Sequence, residues 1–111
     1  MPSVFHNLKY ALRGLRTVLS TERSFRILSI VAVLVIIFAL IIGIEDDLLV
    51  GLLLIIILIL SLEIFNSAVE RLVDMLAPKT HHFAKEVKDL LAAAVLLASI
   101  FAIVIGFIVF L

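Results

Sequence analysis

Five side chains that carry oxygen lie close together between Glu63 and Asp74, directly after a long apolar segment. They are Glu63, Asn66, Ser67, Glu70 and Asp74. Each residue of a helix turns by about 100°, so these five positions fall on one stripe of a helix surface. Carboxylate and amide oxygens are ligands for a hard cation such as Mg²⁺. The spacing therefore predicts a polar face that binds a metal ion or accepts a proton.

The position of this stripe makes it costly to maintain. The segment 48–62 carries no charge, so Glu63 is the most deeply placed of the carboxylates. A charged side chain at mid-bilayer costs roughly 2.5–3.5 kcal/mol on insertion scales. Neighbouring carboxylates also repel one another, and a divalent cation offsets that repulsion. Two alternatives remain open: a polar seam that joins an oligomer, and an ion or proton pathway.

Acidic and basic residues also flank the other apolar segments. Glu22 precedes the first of them, and Lys88 and Asp89 precede the third. Carboxylates, a metal ion and a lysine at a water–lipid boundary are the components that phosphoryl transfer from a nucleotide requires. In that interpretation Glu63 is the base for a lipid hydroxyl, Glu22 and Glu70 hold Mg²⁺, and Lys88 contacts phosphates.

Three apolar segments must position these groups. They are 27–44, 48–62 with a helical continuation to about residue 77, and 90–111. The chain has 111 residues and is 65% hydrophobic, more than a water-soluble domain of this size could bury. We therefore expect a single-domain, all-α integral membrane protein, with transmembrane helices over about 26–44, 48–76 and 88–111. The formal net charge is +0, so bulk charge predicts no nucleic-acid partner.

Lysine and arginine residues orient the chain. They occur before the first apolar segment and around the loop at 78–88, whereas the loop at 45–47 is purely acidic. Because basic loops stay in the cytoplasm, the N-terminus and the 78–88 loop are expected on the cytoplasmic face. Glu22, Glu70, Asp74 and Lys88 then lie at that same face.

The N-terminal segment, about residues 4–20, has a different pattern. Apolar residues recur at spacings of three and four, namely Phe5, Leu8, Leu12, Leu15 and Leu19. Lys9, Arg13 and Arg16 occupy an adjacent face. This pattern predicts an amphipathic helix on the membrane surface, with its basic groups among lipid phosphates. The alternative is an ordinary amphipathic helix that packs on its own bundle, and the two are compatible.

Three stretches resemble the prokaryotic diacylglycerol kinase family, which are small three-helix membrane lipid kinases that include the undecaprenol kinases. The stretches are YALRGLRTVLSTERSFR at 10–26, EIFNSAVERLVD at 63–74 and AKEVKDLLAAAVL at 84–96. The resemblance implies a surface helix, three transmembrane helices and a homotrimer whose active sites lie between subunits. It also implies phosphorylation of a lipid hydroxyl with Mg²⁺ and ATP, in the bacterial inner membrane with the active site facing the cytoplasm.

The resemblance implies a role for each matching residue. Glu63 is expected to be the catalytic base, and Glu22 and Glu70 to bind the metal and the nucleotide. The other implied nucleotide contacts are Tyr10, His81, Lys88 and Asp89. Asn66 and Asp74 match polar positions that support the site, and Arg16, Phe25 and Arg26 match the region near the lipid.

Some positions depart from the pattern of that family. Leu91 stands where relatives have a small residue, and Leu28 where a polar one often occurs nearby. Both departures bear on the choice of lipid. Diacylglycerol is the expected acceptor and undecaprenol the alternative. An oligomeric ion or proton pathway, and a helper subunit without catalysis, are the readings of other classes.

Overall fold

The computed structural model describes residues 2–76 and 82–111, which form four α-helices. The helices are α1 (Pro2–Thr21), α2 (Arg23–Ile42), α3 (Asp46–Leu76) and α4 (His82–Phe110). No strand occurs within these described ranges. The all-helical class predicted from the sequence is therefore confirmed.

Two short breaks separate the first three helices. Glu22 alone interrupts the helix between α1 and α2, with extended backbone angles of φ −105° and ψ 105°. Gly43 ends α2 in the left-handed region at φ 71°, where a residue without a Cβ is favoured. The amides of Gly43 and Ile44 both donate to the Ala39 carbonyl, at 3.1 and 3.3 Å. The acidic pair Asp46 and Asp47 then opens α3, where negative charge is stabilised by the helix dipole.

Three of the helices, α2, α3 and α4, are long and apolar enough to cross a membrane. They begin at residues 23, 46 and 82, whereas the sequence predicted starts near 26, 48 and 88. The predictions placed each start close to the first uncharged residues. The backbone hydrogen bonds of a helix continue past that point, because polar side chains at a membrane boundary face water without interrupting them.

Buried residues on these helices recur every seven positions. In α2 they are Phe25, Ala32 and Ala39, and in α3 Leu52 and Ile59 follow the same interval. A seven-residue repeat keeps one seam of a helix against its neighbour along a shallow crossing. Ala39 has no exposed surface at all, as expected where a small side chain lets two backbones approach closely.

An apolar cavity of about 630 Å³ lies between α2, α3 and α4. Leu28 and Leu60 line it on the side of the polar stripe, and Gly106 and Phe110 line it near the far end of α4. At that far end the rings of Phe38 and Phe110 pack with their centroids 5.2 Å apart. The helices therefore enclose a long apolar space rather than a closed core.

Helix α1 packs on the bundle through one side near its C-terminal end. Val18 is 5% exposed, whereas all five residues of the predicted apolar stripe in α1 are exposed. The Arg26 guanidinium returns from α2 and donates to the carbonyls of Leu19 and Ser20, at 2.9 and 3.1 Å. A cation at the C-terminal carbonyls of a helix stabilises its last turn.

Arg26→Ala removes this cap and should loosen the last turn of α1. We expect the amides of residues 18–22 to exchange their hydrogens about five-fold faster, as loss of about 1 kcal/mol would produce. Hydrogen exchange with mass spectrometry in detergent micelles measures this. Arg23→Ala is the matched control, because Arg23 is exposed and forms no salt bridge within the described residues. Equal exchange in both variants would show that the cap contributes nothing.

Candidate active site

The break at Glu22 turns its carboxylate toward the polar stripe of α3. The Ser67 hydroxyl donates to Glu22 Oε1 at 2.7 Å, and Arg71 Nη2 lies 3.5 Å from the same oxygen. Ser67 is 7% exposed and is the only buried polar residue in the described part of the chain. A hydrogen bond to a charged acceptor is among the stronger ones, so this contact fixes the start of α2 against α3.

Glu63 joins this cluster from the middle of α3. Ser24, Glu22 and Glu70 all lie close enough to the Glu63 carboxylate to interact with it electrostatically. Three carboxylates, Glu22, Glu63 and Glu70, therefore lie close together. Helical spacing predicted this for Glu63 and Glu70, and the expected membrane topology predicted it for Glu22. We call this set the carboxylate cluster. Its repulsion is a reason for a cation to bind there.

Asn66 supplies a fourth polar group to the carboxylate cluster. Its Nδ2 donates to Glu70 Oε1 at 3.5 Å, which is the long limit of a hydrogen bond. Its Oδ1 is buried and has no hydrogen-bond partner. A buried acceptor without a donor costs free energy, and a cation or a bound hydroxyl would satisfy it.

The donor types of these residues would suit a magnesium ion whose remaining ligands came from a bound phosphate and water. Within residues 2–76 and 82–111, no group of three or more His, Asp or Glu side chains is arranged to hold a metal ion. Mg²⁺ in nucleotide sites commonly binds one or two carboxylates and completes its octahedron with phosphate oxygens and water. Glu22 and Glu70 match that smaller donor set, with the free Asn66 oxygen beside them.

Helix α4 brings cationic groups to the C-terminal end of α3. Lys88 Nζ forms a salt bridge with Asp74, and it also interacts electrostatically with Glu70. Lys85 pairs with Asp89 one turn along α4, at 3.2 Å. Asp89 is thus partnered on its own helix, with 67% of its side chain exposed, and not with the carboxylate cluster.

Tyr10 lies beside a groove between α1 and α3. The groove has a volume of about 360 Å³ and is lined by Tyr10, Arg13 and Gly14 from one helix and by Ser67 and Arg71 from the other. The Arg13 guanidinium lies 5.5 Å from the centre of the Tyr10 ring. An aromatic ring and two guanidinium groups in one groove suit a ligand that is planar and anionic.

The residues assigned to the lipid region have other surroundings or partners in the structure of the single chain. Phe25 is 4% exposed and packs inside the chain. Arg26 caps α1, and Arg16 is exposed on α1. His81 lies outside the described residues. Contact of these residues with lipid or nucleotide stays a prediction.

The sequence placed Ser67 on the polar stripe without a partner, and it gave no chemical role to Ser24 or Arg71. In the structure Ser67 donates a hydrogen bond to Glu22, Arg71 pairs with Glu22, and Ser24 lies near Glu63. The signal was available for two of them. Ser67 and Arg71 are four residues apart on the same side of the α3 stripe, which places them on one helix face.

The chain is similar to several known lipid kinases. A diacylglycerol kinase of Synechocystis sp. is 36% identical over 106 residues, which cover 95% of this chain and 61% of that protein. An undecaprenol kinase of Bacillus subtilis is 32% identical over 110 residues, covering 96% and 87%. A diacylglycerol kinase of Escherichia coli is 32% identical over 95 residues, covering 86% and 78%.

The chain thus spans less than two thirds of the Synechocystis protein but most of the other two. The sequence profile of the prokaryotic diacylglycerol kinases matches residues 9–110, which include α2, α3, α4 and all members of the carboxylate cluster. Together with the three membrane-length helices and the convergence of Glu22, Glu63 and Glu70, this match shows that the chain belongs to the prokaryotic diacylglycerol kinase family.

Proposed function

We propose that this chain is a membrane lipid kinase that transfers the γ-phosphate of ATP to the hydroxyl of diacylglycerol, giving phosphatidic acid and ADP. The observation that carries the proposal is the position of the carboxylate cluster at the end of an apolar cavity. Ile59 and Leu60 line the cavity and lie one helical turn before Glu63. A lipid whose chains lie in the cavity presents its hydroxyl to that carboxylate.

A small number of side chains carry out the proposed phosphoryl transfer. Glu63 accepts the proton of the lipid hydroxyl as its oxygen attacks the γ-phosphorus, and the bond from that phosphorus to the bridging oxygen of ADP breaks. Glu22 and Glu70 hold the metal–nucleotide, with Ser67 fixing the orientation of Glu22. A bound Mg²⁺ supplies neutralisation of phosphate charge. Lys88, held by Asp74, adds a cation for the phosphates.

The nucleotide itself is placed by the groove beside Tyr10. The groove shares Ser67 and Arg71 with the surroundings of Glu22, so a nucleotide there has its phosphates next to the cluster. Contacts from His81 and Asp89 remain part of the proposal. Asp89 would first exchange its partner Lys85 for the ligand.

The shape of the apolar cavity should decide whether diacylglycerol or undecaprenol is the acceptor. The Bacillus subtilis relative is named an undecaprenol kinase, and the other two relatives are named diacylglycerol kinases. Leu28, one of the departures from the pattern, lines the cavity, whereas Leu91 is not among its lining residues. Of the two residues, Leu28 is therefore the one that would contact the lipid acceptor directly.

The membrane orientation follows from the same helices. The exposed apolar residues of α1 support a location at the surface of the bilayer, with the basic residues of α1 among phosphates. The basic N-terminus and the carboxylate cluster then face the cytoplasm, in a bacterial inner membrane. This places the cluster where ATP is available.

A homotrimer with shared sites is part of the proposal. In one chain a third of the Glu22 side chain is exposed, and Glu63 and Glu70 are also incompletely covered. Phosphoryl transfer is efficient only where water is excluded. A neighbouring subunit against the apolar helix faces would close the site.

Glu63→Gln should abolish transfer by removing the base. We expect labelled phosphate transfer from ATP to diacylglycerol in mixed micelles with Mg²⁺ to fall by about 10²–10⁴-fold. Glu86→Gln is the matched control, because Glu86 is exposed on α4 outside the cluster and should keep parental turnover. Undecaprenol offered in parallel identifies the acceptor.

Transfer unchanged in Glu63→Gln would remove Glu63 from its role as base. If the parent protein phosphorylates neither lipid but passes ions across liposomes without ATP, the polar stripe serves an ion pathway instead. No turnover and no flux would leave the helper-subunit reading.

Gly106→Leu tests the lipid cavity. Gly106 lines the cavity and a Cβ there meets no atom within 4 Å, so a leucine at this position should take up part of the cavity volume. We expect the KM for long-chain diacylglycerol to rise several-fold while the KM for a dihexanoyl acceptor and for MgATP stay constant. Gly51→Leu is the control, since Gly51 also faces open space but does not line the cavity. Equal effects on long and short acceptors would contradict acyl binding there.

A further inference from the structure

Arg71 is the one cation that directly contacts the carboxylate cluster. Among residues 2–76 and 82–111, its salt bridge to Glu22 is the only one that involves Glu22, Glu63 or Glu70. Lys88, the other nearby cation, is taken up by Asp74. Among the described residues, Arg71 is therefore the cation in direct contact with the cluster, while Lys88 acts on Glu70 only at longer range.

That guanidinium is held mainly by a neighbour of Glu22 and only loosely by Glu22 itself. Arg71 Nη2 donates to Thr21 Oγ1 at 2.6 Å, whereas Glu22 Oε1 lies 3.5 Å away. Thr21 in turn donates to the Thr17 carbonyl at 2.7 Å, in the last turn of α1. Half of the Arg71 side chain is exposed, so water competes for the contact with Glu22.

We propose that Arg71 is a positioning residue that neutralises Glu22 while the metal–nucleotide is absent and gives the carboxylate up to the metal ion when it binds. Arg71 and the metal ion then exclude one another at Glu22. The inference rests on the proposed function for the identity of the ligand. Two observations support it. The three carboxylates repel one another and so favour a nearby cation, and the salt bridge between Arg71 and Glu22 is weak enough to be replaced.

The released guanidinium stays close to the site. Arg71 lines the groove between α1 and α3 together with Arg13 and Tyr10, and its anchor Thr21 is independent of Glu22. Its positive charge therefore remains beside an anion bound in that groove. The exchange changes the partner of Arg71 without moving α1 or α3.

The test is direct binding of Mn²⁺, a spectroscopic substitute for Mg²⁺, to the full chain in micelles without nucleotide or lipid. Electron paramagnetic resonance measures the free ion. We expect Arg71→Gln to bind Mn²⁺ about two- to five-fold more tightly than the parent, the range that an exposed ion pair contributes. Arg71→Lys should stay near the parent, because it keeps the charge. Arg23→Gln, the same change at the neighbour of Glu22, should also stay near the parent.

Thr21→Val gives an effect of opposite sign. It removes the anchor at 2.6 Å and leaves Glu22 as the partner of the guanidinium, so Mn²⁺ should bind about two-fold more weakly. In a Glu22→Gln background, Arg71→Gln should change Mn²⁺ binding no further. Size-exclusion chromatography and circular dichroism check that each variant is folded.

Arg71→Gln with unchanged or weaker Mn²⁺ binding would overturn the inference, and so would absence of Mn²⁺ binding in every variant. Phosphate transfer to lipid, assayed on the same preparations, tests the proposed function separately. If the parent phosphorylates lipid but Arg71→Gln leaves Mn²⁺ binding unchanged, the exchange at Glu22 is wrong and the proposed kinase activity stands.

Discussion

The hydrogen bond from Ser67 to Glu22 is the contact on which the arrangement of the site depends. It joins the one non-helical residue between α1 and α2 to the polar stripe of α3. Without it, Glu22 would have only a half-exposed arginine as its partner on α3. Because Ser67 is buried, this bond is partly shielded from water, and it holds Glu22 beside the two other carboxylates of the cluster.

The rest of the bundle keeps that distance. Buried residues at seven-residue intervals hold α2 along α3, and they begin with Phe25, three residues after Glu22. The same packing leaves the apolar cavity open between α2 and α4 and ends it near Glu63. Helix α3 thus takes part in both features: its apolar half lines the cavity, and its polar end carries Glu63 and Glu70 of the cluster.

Much of this could be predicted from the sequence. The three membrane helices follow from apolar length, and the convergence of Glu63, Asn66 and Glu70 follows from helical spacing alone. The contacts of Glu22 could not be predicted, since a pattern along one chain does not show which hydroxyl or guanidinium meets a carboxylate about 45 residues away. The cap that Arg26 forms on α1 was also not predicted, because spacing does not show that its side chain reaches back to carbonyls six and seven residues earlier.

The single-residue joint at Glu22 has a mechanical consequence. Helix α1 has 20 residues and is therefore about 30 Å long, and it is attached to the bundle near one end. A force on the free N-terminal end of α1, near Phe5, therefore acts on the joint at Glu22 over the length of the helix. If α1 lies on the bilayer surface, crowding of lipid headgroups and curvature of the leaflet exert force along this helix. The carboxylate at this joint is then coupled to the lateral pressure of the membrane.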